Sequence, residues 1–188
     1  MERSEPLKNA QGVFFKKTNI RSKTSDVRVA IELALDNSIL PNHKIMSRPT
    51  IVYIDGGSRG NPGPSAFACV FPELSKEYSE YIGAVTNNVA EYSGLIFALK
   101  KAKALFGKDK AKRMELEIRS DSELLVKQMK GEYKIKEEGI QKLFLQAWNL
   151  KIDFAKVNFV AVPREQNKQA DRLLNETLDN QGRKKTLF

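Results

Sequence analysis

A short β-branched and aromatic run, Thr50-Ile51-Val52-Tyr53-Ile54, climbs to a single carboxylate, Asp55, and breaks at once into Gly56-Gly57-Ser58-Arg59-Gly60-Asn61-Pro62-Gly63-Pro64. The run reads as a buried strand, Thr50–Ile54, and the glycines read as a loop whose backbone can approach a ligand closely. A lone Asp-Gly after a strand is an ordinary solvated turn. The glycines at 56, 57, 60 and 63 and the Asn-Pro-Gly-Pro ending ask for more than a turn. Whatever fold the rest of the chain adopts has to deliver Asp55 to a sheet edge.

The 188 residues suit one domain with an appendage, and the net charge of +9 favours a polyanionic partner, nucleic acid first. No apolar run approaches the roughly 18 residues of a membrane span, so no membrane partner is expected. A single cysteine, Cys69, excludes an internal disulfide. It also favours a reducing compartment, cytoplasmic or nucleoid-associated, with organelle targeting left open. A single histidine, His43, excludes a histidine-rich metal cluster and argues against a serine-type triad.

Residues 1–48 read as an amino-terminal extension. Its early part is basic and broken, and from Ser25 an amphipathic helix is expected with Val27, Ala30, Ile31, Ala34 and Leu35 on one face. No apolar core follows the first basic residues, which argues against a secretory signal, and Glu2 and Glu5 argue against a mitochondrial presequence. Residues 49–181 carry the regular pattern and 182–188 form a basic tail. After the first strand come two more, Ala66–Phe71 and Lys76–Val85, too closely connected for crossovers and so antiparallel neighbours. A helix opens at Thr86-Asn87-Asn88 and runs to Phe106, stopped by Gly107. Met114–Arg119 is a fourth strand, reached through that helix and free to pair parallel to the first. Helices follow from Ser120 to Lys130 and over Glu137–Leu150, the latter with Ile140, Leu143, Phe144 and Ala147 inward and Trp148 near them. Lys156–Val162 is the fifth strand, and a last helix covers Lys168–Asn180.

This order makes an α/β fold with a mixed sheet. The ends of its first and fourth strands, Asp55 and Asp121, lie side by side where the chain changes direction. Glu91 and Asp171 each sit one turn into a helix that starts at the same edge. Singly, each has a plainer explanation: Asn88-x-x-Glu91 and Ser120-x-x-Glu123 have capping-box spacing, and Asp171 gains from the helix dipole. Together, beside a glycine-rich stretch, they describe a site.

Four blocks, residues 55–64, 86–92, 120–126 and 162–175, resemble those of type 1 ribonucleases H in order and spacing. The resemblance implies a ribonuclease H-like five-stranded mixed sheet, three antiparallel strands then parallel ones, flanked by helices. It implies a metal-dependent endonuclease that cuts the RNA strand of RNA/DNA hybrids, leaving 5′-phosphate and 3′-hydroxyl ends. Asp55, Glu91, Asp121 and Asp171 would hold two Mg²⁺ ions about 4 Å apart, with Mn²⁺ as an alternative. In that arrangement Asp55 bridges both ions, Glu91 and Asp121 complete one, and Asp171 completes the other. Mg²⁺ wants hard oxygen ligands, which carboxylates supply.

The same resemblance assigns the substrate contacts. The backbone of Gly56, Gly57 and Ser58 and the side chains of Asn61, Asn87 and Asn88 would grip minor-groove edges and sugars, where the 2′-hydroxyl marks RNA. Thr86 and Asn61 resemble a pocket for a DNA-strand phosphate, Arg59 a phosphate contact, and Ser122 and Asn167 complete the set. Relatives often carry a histidine in the loop before the last Asp. Here the loop is Pro163-Arg164-Glu165-Gln166-Asn167, and Arg164 can steady a phosphate but cannot serve as a base near neutral pH. Lys127–Lys136 is too short for the basic handle of some relatives. Gln181–Phe188 is loosely similar to peptides that dock on sliding clamps, but Lys184 stands where an apolar residue is usual. Duplex-RNA cleavage or exonuclease action on the same fold, and an idle hybrid-binding module, are the competing readings. The intact carboxylates argue against the last.

Overall fold

The computed structural model describes residues 48–185. The helix expected from Ser25 and the clamp-docking reading of Gln181–Phe188 fall in part or whole outside them. Among the described residues the strands are β1 (Thr50–Ser58), β2 (Gly63–Phe71), β3 (Lys76–Val85), β4 (Glu115–Ser120) and β5 (Lys156–Ala161). The helices are α1 (Asn87–Phe106), the single turn α2 (Lys108–Ala111), α3 (Glu123–Met129), α4 (Glu138–Lys151) and α5 (Lys168–Lys185). No described helix is long and apolar enough to cross a membrane.

The sheet order is β3-β2-β1-β4-β5, antiparallel across the first two pairings and parallel across the last two. This is the expected five-stranded mixed sheet, with one refinement: β3 pairs with β2 alone and not with β1. Each face is covered. Against one face pack α1, α3 and α4, around Val52, Ile54, Tyr92, Leu95, Leu99, Leu116 and Ile118. Against the other lies α5, whose Ala170, Leu174 and Leu178 meet Ala66, Ala68 and Val70 of β2. With helices on both sides, β2 reads as a continuous apolar run and not as an alternating one.

The main departure from the sequence reading concerns the glycines. β1 does not end at Ile54 but continues through Asp55, Gly56 and Gly57 to Ser58, paired with β2 residues Ala68, Phe67, Ala66 and Ser65. Correspondingly β2 starts at Gly63 rather than Ala66, and only Arg59–Pro62 is loop. The glycines serve close approach more than turning. A Cβ on Gly56 would lie 2.3 Å from the Glu91 backbone nitrogen of α1, and one on Gly57 would lie 2.9 Å from the Leu174 side chain of α5. Of the four, only Gly60 takes a positive φ, 100°.

Helix ends follow capping chemistry. Thr86 caps α1 by accepting from the Val89 N–H at 3.4 Å, and Ser122 caps α3 by accepting from the Leu125 N–H at 3.3 Å. The capping boxes expected at Asn88/Glu91 and Ser120/Glu123 are therefore replaced by these two residues. Gly107 and Gly131 take positive φ values of 80° and 77° after α1 and α3. On α4, Trp148 is 39% exposed, with Leu145 at 58% and nearby Ile152 at 70%, so Trp148 borders the core and does not fill it. It stacks on Phe144 at 5.5 Å, and the Lys151 ammonium lies 3.9 Å above its ring.

The two strand glycines should respond differently to a methyl group. Gly56→Ala meets backbone that cannot yield, and its urea-unfolding free energy should drop by about 3 kcal/mol. Gly57→Ala meets the movable end of Leu174 and should lose less than about 1 kcal/mol. Equal losses would mean that the approach of α1 to β1 is not as tight as described.

Candidate active site

The parallel ladder between β1 and β4 closes with the pair Tyr53 and Arg119. Two residues further along each strand stand Asp55 and Asp121, at matching positions beyond the point where the ladder ends. Glu91 comes from the first turns of α1 and Asp171 from the start of α5, so each helix that presses on a β1 glycine contributes one carboxylate. The four line a single cavity of about 350 Å³, together with Gly56, Gly57, Ser58, Arg59, Asn87, Ser122 and Arg164.

Each acid has a distinct set of partners. Glu91 accepts at one oxygen from Asn87 Nδ2 (2.8 Å) and at the other from Ser122 Oγ (2.6 Å). Asp121 accepts from Asn167 Nδ2 at 3.1 Å. Asp171 is ion-paired with the Arg164 guanidinium. Asp55 is buried and carries the electrostatic burden. Desolvation first, then the charges of Asp121 and Asp171, with a smaller push from Glu91, drive its pKa from 3.8 up to about 8, against a backbone hydrogen bond from Gly56 that lowers it. Burial also raises Glu91, partly offset by its bond from Ser122. The Arg164 charge is stabilised in return, by Asp171 and more weakly by Asp121 and Asp55.

Several residues assigned to substrate are engaged within the protein. Asn61 and Thr86 do not line the cavity: Asn61 Oδ1 accepts from the Asn87 N–H at 3.1 Å, and Thr86 is the α1 cap. Asn88 lines a separate cleft with Leu124, Gln128 and Lys134. The Ser58 N–H donates to Asn87 Oδ1 at 3.2 Å, and Arg59 pairs with Asp179 of α5. Asn167 is 1% exposed and hydrogen-bonded within the protein. Leu174, Asn175 and Leu178 also line the cavity and were not expected. With Asp171 they fall at i, i+3, i+4 and i+7 on α5, so helical periodicity carried the signal.

Among the described residues no three acidic, histidine or cysteine side chains are already arranged as a metal cage. Each carboxylate is turned toward the partner just named. The donor set still suits a hard divalent cation: all ligands would be oxygens, and such a cation would offset the burial and the neighbouring charges that raise Asp55.

Residues 55–177 match the family described as Reverse transcriptase-like. The chain is 41% identical over 134 residues to the bifunctional protein Rv2228c of Mycobacterium tuberculosis, covering 69% of this chain and only 35% of that one. Its identity to ribonuclease HI of Halobacterium salinarum is 39% over 132 residues, covering 68% of this chain and 63% of that one. Among solved structures, LC11-RNase H1 in complex with an RNA/DNA hybrid is similar with a TM-score of 0.64 at 44% identity, over 69% of this chain and 96% of that one. The N-terminal RNase H domain of rv2228c gives 0.63 at 40% identity, over 72% and 98%.

The raised Asp55 pKa fixes the sign of a pH effect. The folded state holds a proton that the unfolded state has lost between pH 3.8 and about 8, so metal-free stability is full below that window and declines through it. Thermal melts in chelator should show a falling Tm across this range, and Asp55→Asn should flatten the fall and melt above wild type at the alkaline end. Added Mg²⁺ should raise the wild-type Tm there. A wild-type Tm that climbs steadily across the window would contradict the assignment.

Proposed function

The chain belongs to the type 1 ribonuclease H family, and we propose that it is an endonuclease hydrolysing the RNA strand of RNA/DNA hybrids by two-metal-ion catalysis. The observation that carries this reading is the convergence of Asp55, Glu91, Asp121 and Asp171 on one open cavity at the switch point of the sheet. The similarity to an RNase H1 solved with an RNA/DNA hybrid supports the choice of substrate.

Bound Mg²⁺ or Mn²⁺ supplies a nucleophilic hydroxide near neutral pH and relieves charge on the departing 3′ oxygen. The chain's own residues do the rest. Asp55 would be the ligand shared by the cations, with Glu91 and Asp121 holding one and Asp171 the other; that all four line one cavity supports this division. Release of Asp171 from Arg164 frees both groups: the carboxylate for a cation, and the guanidinium for a phosphate oxygen of the RNA strand. Arg164 stays charged throughout, so proton transfer falls to water or to a carboxylate. Asn87 and Ser122 would meet the sugar edge of the hybrid, a role their position in the cavity beside Glu91 supports. The products of such a cut carry a 5′-phosphate and a 3′-hydroxyl.

Hybrid, duplex RNA and duplex DNA of one sequence, incubated with Mg²⁺, Mn²⁺ or chelator, test the reading. Cutting should be confined to the RNA of the hybrid, require metal, and leave ends that a ligase accepts directly. Asp55→Asn should stay folded and lose at least about 100-fold in rate. Hybrid binding without cleavage in either metal would leave only a binding module.

A further inference from the structure

Asn167 sits at a junction that the catalytic reading leaves unexplained. β1 and β4 pair as far as Tyr53 and Arg119, and β1 continues against β2 to Ser58, so beyond Tyr53 the two parallel strands separate. The Asn167 side chain fills the apex of that separation. Its Nδ2 donates to the Ile54 carbonyl at 3.0 Å and to Asp121 Oδ1 at 3.1 Å. Both partners are acceptors, which fixes the amide: turned over, Oδ1 would face two oxygens. The main chain is committed too. The Asn167 N–H donates to the Arg164 carbonyl at 2.9 Å, and its carbonyl accepts from the Asp171 N–H at 3.0 Å. One buried residue thus touches the peptide preceding Asp55, the side chain of Asp121 and the backbone of Asp171.

Two observations separate this from ordinary packing. Asn167 Oδ1 is buried without a hydrogen-bond partner, a cost to stability that an apolar side chain of the same size would avoid. And the other partners of the acids, Asn87, Ser122 and Arg164, all line the cavity, where a substrate can draw them away. Asn167 is 1% exposed and does not line it, so a substrate filling the site does not reach its amide.

We propose that Asn167 is a positioning residue of the carboxylate cluster, whose amide holds Asp121 at the spacing from Asp55 that lets the two share a divalent cation. The role rests on the ribonuclease H reading above. It gives Asn167 no contact with the hybrid and assigns it to cation affinity instead.

Isothermal titration calorimetry of Mg²⁺ into the full chain tests this without relying on turnover. The variants are Asn167→Leu, of similar volume but without a donor, and Val157→Ala, a core truncation at the far end of β5 that lowers Tm alone. Asn167→Leu should weaken Mg²⁺ binding about tenfold or more. At saturating metal its kcat should fall while KM for the hybrid stays put. Val157→Ala should bind Mg²⁺ as wild type does, even where its Tm is the lower of the two. If Asn167→Leu does not fold, Asn167→Ser, too short to reach Asp121, should weaken binding in the same way. Wild-type Mg²⁺ affinity in the Asn167 variants overturns the proposal, and a raised KM with unchanged affinity would make Asn167 a substrate contact. A wild-type chain that binds no Mg²⁺ would bring down the catalytic reading as well, an outcome distinct from variants that merely match a binding wild type.

Discussion

The site depends on how closely two helices can press against one strand. At Gly56 the backbone of α1 lies where a Cβ would stand, and at Gly57 the Leu174 side chain of α5 does the same from the opposite face. Consecutive residues of a strand point to opposite sides of the sheet, so a pair of adjacent glycines lets both helices come in at one level. That level is one residue past Asp55. Glu91 and Asp171, each rooted in one of those helices, are carried to Asp55 by the same contacts. The packing that closes the two hydrophobic cores near the sheet edge is thus also what gathers the acids.

Gathering four carboxylates has an electrostatic cost, which the fold distributes unevenly. Neutral donors hold Glu91 and Asp121, while Asp171 takes the Arg164 guanidinium. Asp55, the most buried, is left to answer by raising its pKa. Neutral amides and hydroxyls orient an acid without cancelling its charge, so the cluster keeps its attraction for a cation. Arg164 does cancel charge, but from an exposed position where the exchange for another cation is inexpensive.

The sequence made the four acids legible because each adjoins a punctuation mark: a run of glycines after Asp55, the end of β4 before Asp121, and the starts of helices before Glu91 and Asp171. It made the sheet legible through strand lengths and the helical crossover. It misplaced the end of β1, since glycines in series read as loop by local propensity and their place in a strand is dictated by α1 and α5, which are distant in sequence. The partners of the acids were hidden for a similar reason. Ser122 and Asn167 look like turn and cap residues, and one of them is indeed a cap. That Ser122 also reaches Glu91, and that Asn167 spans two strands, depends on pairings between elements that no local window contains.

The matching positions of Asp55 and Asp121 bear on how such a chain can drift. The ladder brings the two strands to one level at Tyr53 and Arg119, and that level does not depend on the length of anything between them. Loops and helices from Arg59 to Met114 can gain or lose residues without altering it. A single deletion inside β4 would instead send Asp121 to the opposite face of the sheet. Length variation among descendants of this sequence is therefore tolerable in the connections and forbidden along a few residues of two strands, even where those residues carry no chemistry themselves.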